Sequence, residues 1–414
     1  MSIPLVQVLA NSTPQRPAGA LRPRTPSAVV VLGAHYGALG VVRSLGRKGI
    51  STVVVKCGEH NIAAFSRYAS QVFDFPRKEN GYEFLTNLAT QHNLSGSLLI
   101  PTTDDTVALV SRASEDLSRD YVVITPPWNT MKQLCDKRSL YELAGALGID
   151  HPSTMYPAGV EGLENFDLKF PVILKPAHRE ITNPLTRAKA WQVNNARELM
   201  ARYKQACEFM PAELVMIQEV IPGGGEAQFS YAALCLNGKI LASLTARRTR
   251  QFPIDYGRSS TYVETIAADP KLEEAAARLL AAVRMTGLVE VEFKRDTRGS
   301  YKLLDVNPRV WTWHALGSRA GVDFPYLLWL LASGNDFCAP KAREGVTWRH
   351  FFSDLPAAVA ELYRGKLQWK EYFRSLSRAD AAAVRAMDDP VPLFFDVPTS
   401  FYRFGKRAFL SFTS

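Results

Sequence analysis

At 414 residues the chain suggests two or three domains, and 47% hydrophobic with 21% charged residues is the composition of a soluble globular protein. The longest apolar stretches, such as Tyr326 to Ala332, fall far short of the roughly 20 residues of a spanning helix, and no secretory signal pattern opens the chain. Five cysteines without CxxC spacing argue against zinc sites and disulfides and for a reducing, cytoplasmic setting, while a dispersed net charge of +9 excludes the dense basic face of a nucleic-acid binder.

Residues 1–26 carry several prolines with Ser, Thr and Gln and no apolar period, as a disordered lead-in does. From Ala28 to Leu32 a valine-rich run predicts a buried parallel strand. Gly33, Gly37 and Gly40 follow, opening a helix-like stretch to Lys48. Ser51 to Val55, Ser97 to Ile100 and Tyr121 to Ile124 predict further strands, so residues 27–125 read as an α/β unit with a parallel sheet. Pro126 and Pro127 break the unit, and Leu134 to Leu147 predicts one helix ended by Gly148.

Phe170 to Leu174 and Leu214 to Glu219 read as strands flanking a helical stretch from Ala196 to Glu208. Phe229 to Leu236 and Ile240 to Ala246 form a hairpin turned by Asn237-Gly238. Asp269 and Pro270 start a helix that Gly287 is expected to end. Next, Leu288 to Lys294 alternates Val289, Val291 and Phe293 with Glu290 and Glu292, and Tyr301 to Val306 returns with Leu303, Asp305 and Asn307 on one face. A hairpin centred near Arg298-Gly299 sets Glu292 opposite Asp305.

Opposed carboxylates repel unless a cation lies between them, and two carboxylates with an amide (Glu292, Asp305, Asn307) suit Mg²⁺. The plainer reading is a solvated polar face. Lys175, ending the strand-like Pro171 to Pro176, is placed to offset phosphate charge or else snorkels at a strand end. Gln218 to Glu226 joins an apolar strand to three glycines, either a segment that presents backbone and a carboxylate to a nucleotide or a flexible loop. Arg247, Arg248, Arg250 and Arg258 are candidates for gripping a carboxylate or phosphate, with a solvated hairpin edge as the alternative. Trp311, Trp313 and His314 either wall an acceptor pocket or pack in the core.

Asp136-Lys137, Lys175-Pro176, Gln218-Glu219 with Glu226, Glu292, and Leu304-Asp305-Val306-Asn307-Pro308-Arg309 follow in one direction over about 170 residues. In that order, from about Val29 to Gly334, the chain resembles the ATP-grasp superfamily, and within it the carboxylate–amine ligases related to D-aspartate ligase. The resemblance implies a mixed α/β and α+β architecture. A parallel-sheet α/β (pre-ATP-grasp) domain over 27–125 precedes an ATP-grasp domain over 126–338, with a lid subdomain at about 151–222 and an unassigned C-terminal extension over 339–414. It implies that Lys137 and Lys175 meet ATP phosphates, that Glu219 and the backbone near Ile221 hold adenine, and that Glu226 binds ribose. Glu292, Asp305 and Asn307 would hold Mg²⁺ (or Mn²⁺), and Arg309 and Lys175 would serve catalysis. Arg248, Arg250, Arg258 and His314 would face the substrate.

Two departures stand out. Asp305 replaces the usual glutamate, and Glu290 stands where D-alanine–D-alanine ligase has an arginine, which argues against a D-alanine dipeptide. No biotinyl or lipoyl segment is visible. The implied activity joins a small-molecule carboxylate to an amine with release of ADP and phosphate, without nucleic acid. A homodimer is compatible with it. The alternatives are a non-catalytic nucleotide-binding or scaffold protein and a nicotinamide-dependent oxidoreductase, although the glycines follow G-x-x-x-G-x-x-G rather than the dinucleotide fingerprint. The tail interleaves Phe394, Phe395, Phe401, Tyr402, Phe404 and Phe409 with Arg403, Lys406 and Arg407, a composition of membrane surfaces as well as of packed termini.

Overall fold

A computed structural model describes residues 25–76, 81–165, 167–177, 183–255, 257 and 259–400. The reading of residues 1–26 as disordered thus falls almost wholly outside the described residues, as do Arg258 and the tail from residue 401.

The first unit alternates β1 (Val29–Leu32), α1 (Tyr36–Gly46), β2 (Thr52–Lys56), β3 (Ala69–Asp74), α2 (Gly81–Gln91), β4 (Ser97–Pro101), α3 (Asp104–Arg112), α4 (Ser114–Leu117) and β5 (Tyr121–Val123). The strands form one parallel sheet in the order β3-β2-β1-β4-β5. Its interior strands are fully buried, so their apolar runs were legible in the sequence. The edge strand β3 was not expected, because it is largely exposed and has no apolar run.

Two helices, α5 (Trp128–Cys135) and α6 (Lys137–Ala146), replace the single helix expected over Leu134 to Leu147. Asp136 is the reason. It is extended at φ −82°, ψ 118°, and its carboxylate accepts from the Ser139 N–H at 2.7 Å, so it ends α5 and caps α6.

Residues 154–219 fold around their own core as β6 (Thr154–Met155), β7 (Val172–Pro176), α7 (Pro184–Ala188), β8 (Trp191–Val193), α8 (Ala196–Cys207) and β9 (Val215–Glu219). The four strands make an antiparallel sheet in the order β6-β9-β7-β8.

The body follows: β10 (Gln228–Leu236), β11 (Lys239–Phe252), β12 (Ser259–Thr265), α9 (Pro270–Ala282), β13 (Gly287–Arg295), β14 (Tyr301–Asn307), α10 (Ala315–Ala320), α11 (Phe324–Ala332), β15 (Thr347–Arg349), α12 (Phe351–Tyr363), α13 (Trp369–Ser377) and β16 (Ala381–Ala382). Residues 391–400 are helical as well. The seven-stranded sheet runs β14-β13-β10-β11-β12-β15-β16, so part of the unassigned C-terminal extension belongs to the body sheet.

Gly287 does not end α9, which stops at Ala282. It begins β13 at φ +101°, where a Cβ would stand 2.5 Å from the Ile124 carbonyl oxygen. Glycine is needed there for a close backbone approach between the first unit and the body. Likewise a Cβ on Gly40 would meet the His314 ring at 2.6 Å. That glycine lets α1 lie on the segment after β14, a packing role rather than dinucleotide binding.

Candidate active site

A cleft of about 1110 Å³ opens between the 154–219 sheet and the body sheet, floored by β13 and β14 and hinged at residues 220–226. Glu292 pairs directly with Asp305 across the hairpin. A β-bulge between Glu292 and Phe293 leaves Leu304 as the extra residue of β14. Leu303 therefore joins Phe293 in the core, correcting the expectation that Leu303 shares a face with Asp305 and Asn307. The bulge is what lets an apolar and an acidic side chain two positions apart point to opposite sides.

The groups nearest this acidic pair are engaged with it or with one another. The Lys137 ammonium lies 2.8 Å from Asp305, and the Arg248 guanidinium donates to Glu292 at 3.3 Å. Asn307 donates through Nδ2 to Glu292 at 3.0 Å and Glu290 at 3.2 Å, while its Oδ1 accepts from Arg309 at 3.2 Å. Arg309 also bonds Asp104, at the first turn of α3, and so ties the hairpin to the first unit. Glu290 is buried and accepts from Ser230 Oγ and Trp313 Nε1, each at 2.9 Å. Burial, reinforced by the Glu292 charge, pushes its carboxyl well above the usual range.

Farther along the cleft, Lys175 at the end of β7 donates to Gln218 Oε1 at 3.0 Å. Buried Gln218 donates in turn to Tyr141 and Thr154, which fixes its orientation. Glu219 accepts from the Ser153 N–H at 2.9 Å and pairs with Lys302. Ile221 lines the hinge, and Glu226 accepts from the Gly224 N–H at 2.8 Å. The 154–219 unit and the body touch through Lys189, which donates to the Gly257 carbonyl. Lys137, Lys175, Glu219, Ile221, Glu226, Glu292 and Asp305 thus line one cavity. Asn307, opposite Glu290, lies two residue pairs beyond the acidic pair, and Arg309 bonds the first unit through Asp104.

The arginines on β11 have structural partners. Arg248, the partner of Glu292, also bonds Gln228, whereas Arg247 pairs with Glu264 on β12. Arg250, although it borders the cleft, is 3% exposed and bidentate to Asp354 at 2.8 Å and 2.8 Å, with Ser375 at 3.0 Å. Its donors are committed to α12, which leaves it a poor grip for a substrate carboxylate. His314 does not reach the cleft. It is buried under α1, where Nε2 donates to the Gly37 carbonyl at 2.8 Å and burial lowers its basicity. Trp311 and Trp313 are core residues.

Sequence reasoning missed several cleft residues, Lys294, Glu361 and Lys366 among them. Lys294 follows Glu292 by two positions and could have been found by strand alternation. Glu361 at the end of α12 and Lys366 just beyond it carry no local signature. They reach the cleft because Asp354 of the same helix binds Arg250. Burial, opposed by Arg250 and reinforced by Glu226, pushes the Glu361 carboxyl up to about 7.

A family model described as ATP-grasp in the biosynthetic pathway with Ter operon matches residues 214–351. The span contains the hinge, the body hairpins and the acidic pair. No curated protein matches the sequence. Among solved structures, the chain is similar to N5-carboxyaminoimidazole synthetase from Staphylococcus aureus (TM-score 0.62, 12% identity, 83% of this chain and 87% of that one). It is also similar to L-amino acid ligase from Bacillus licheniformis (TM-score 0.56, 12% identity, 77% and 76%). The biotin carboxylase domain of 2-oxoglutarate carboxylase from Hydrogenobacter thermophilus, in complex with MgADP and bicarbonate, matches at TM-score 0.61 and 15% identity over 78% and 74%. The chain has the ATP-grasp fold, and its similarity runs to proteins of the ligase and carboxylase type.

Proposed function

We propose that this chain is an ATP- and Mg²⁺-dependent carboxylate–amine ligase that forms an amide bond through an acyl-phosphate. The observation that carries the reading is the Glu292–Asp305 pair at the end of a cleft that also holds Lys137, Lys175 and a glycine-rich hinge with Glu219 and Glu226. A nucleotide polyphosphate with a cation would use all of these at once.

The donor set fits a hard divalent cation. Two side-by-side carboxylates and a nearby amide are oxygen ligands, few in number, as Mg²⁺ prefers when phosphates and water complete its shell. Asn307 now turns its nitrogen to Glu292, so service as a ligand requires its amide to turn over. The bound ion would offset charge on the β- and γ-phosphate oxygens.

The chain's own groups supply the rest. Lys175 and Lys137 would offset phosphate charge, and Asp305, now paired with Lys137, would be one of the carboxylates that hold the cation. The hinge backbone near Ile221 and the Glu219 carboxylate meet the adenine, and Glu226 accepts from a ribose hydroxyl. A substrate carboxylate oxygen attacks the γ-phosphorus and the bond to ADP breaks. The amine then displaces phosphate at the acyl carbon. Arg309, oriented by Asp104 and Asn307, stands on the first-unit side of the acidic pair, where its guanidinium can stabilise the transferring group.

Acid-dependent ADP release across a panel of small carboxylates, with hydroxylamine replacing the amine, tests the reading. An acyl-phosphate is trapped as a hydroxamate in step with ADP. ADP release without hydroxamate from any acid would contradict it.

A further inference from the structure

We propose that residues 351–395 form a docking face for an anionic lipid bilayer, a property independent of the ligase reading. Of the thirteen large hydrophobic side chains that are exposed among the described residues, ten lie in this segment. Such clustering is not the scatter of single apolar residues that ordinary surfaces show.

The pattern follows from helix geometry. On α12, Phe351, Leu355, Val359 and Tyr363 recur every four residues and make one outward stripe, with Tyr363 93% exposed. The inward side of the same helix is well partnered: Asp354, Ala357 and Ala358 are fully buried against the body. On α13, Trp369 and Phe373 again sit four apart, at 61% and 60% exposure. Phe394 and Phe395 are exposed as well, Phe395 stacked on Phe65 at 3.7 Å.

Charge selects the occupant. Lys366, Lys370, Arg374, Arg378 and Arg385 are exposed along this segment, as is Arg364, which is paired with Asp255. The exposed acids are Glu371, Asp380 and Asp388, and Asp388 is held by Arg47. An apolar stripe bearing Trp and Phe, flanked by Lys and Arg, is the composition of helices that lie in the headgroup region of anionic membranes. Docking would bring the cleft, bordered by Glu361 on the other side of α12, within about one helix diameter of the lipid, roughly 10 Å.

The test uses the full chain with vesicles of phosphatidylcholine alone or mixed with phosphatidylglycerol. The expected result is sedimentation with the anionic vesicles only, weakened by salt. Brominated lipid should quench tryptophan emission in the wild type, and Trp369→Phe should lose that quench. Trp369→Glu/Phe373→Glu should lower vesicle partition at least ~10-fold. Lys370→Glu/Arg374→Glu, which leaves apolar packing untouched, should do the same and guards against a misfolded first variant. Three outcomes would overturn the proposal. One is no binding to either vesicle, and another is binding that survives both variants without a Trp369 quench. The third is a dimer by light scattering that Trp369→Glu/Phe373→Glu abolishes in the absence of lipid binding, which would assign the face to a second copy of the chain.

Discussion

Asp305→Asn is expected to lower ADP release at least about a thousandfold while the chain stays folded. The substitution keeps size and shape but removes one of two opposed carboxylates, leaving Glu292 as the only charged oxygen donor of the pair. Stability should fall by about 1–3 kcal/mol, because Lys137 is buried and loses its 2.8 Å charged partner while keeping the Leu304 carbonyl. Lys175→Ala is expected to match it in activity, since Lys175 is a cleft cation that Gln218 of β9 helps to orient. Melting temperature and ADP release, measured on the same preparations, check both variants. Near-normal turnover in either would remove the assignment of the acidic pair and its lysines.

The second large effect is on stability. Asp354→Ala is expected to cost about 3–5 kcal/mol, because it strands the buried Arg250 guanidinium that now makes two 2.8 Å bonds to that carboxylate. Thr261 Oγ1, which donates to Asp354 at 3.0 Å, would lose its acceptor as well. The double variant Arg250→Met/Asp354→Leu should recover most of the loss, since apolar residues need no partner there. Denaturant unfolding of the single and double variants decides the matter. Equal destabilisation in both would mean that packing of α12, and not the ion pair, holds the C-terminal segment on the body.

The sequence carried the architecture best where burial was extreme or turn chemistry was specific. The valine runs of β1 and β2 had no other stable place than a buried parallel sheet. Asn237-Gly238 takes positive φ at both residues and turns the β10–β11 hairpin as read. The Glu292–Asp305 pairing came out as read, but through two offsetting departures: the turn pairs Arg295 with Tyr301, which alone would set Glu292 opposite Leu304, and the bulge moves the partner on to Asp305. The bulge at Leu304 was not legible, since nothing in Tyr301 to Asn307 distinguishes an extra residue from strict alternation. β3 escaped notice for lack of an apolar face, and the α5–α6 break because Asp136 reads equally as a cap and as a helix-surface residue.

Side-chain assignments were harder, because partners far apart in sequence decide them. Arg250 and His314 looked like site residues by position, yet Asp354 lies 104 residues from the first and Gly37 lies 277 residues from the second. Glu361 and Lys366 reach the cleft for the same reason in reverse, carried there by the helix that Arg250 anchors. No local motif records such packing.

Thermal unfolding in the presence of Mg-ATP, of ATP with chelator, and of NADPH tests the central claim most directly. Saturation at about 100 times the dissociation constant stabilises the binding state by roughly 2.7 kcal/mol, a rise of at least about 2–4 °C if a domain of roughly 150–250 residues responds. The account predicts that rise with Mg-ATP, its weakening on chelation, and its loss in Asp305→Asn. A shift with NADPH alone, or none with any ligand, would contradict it.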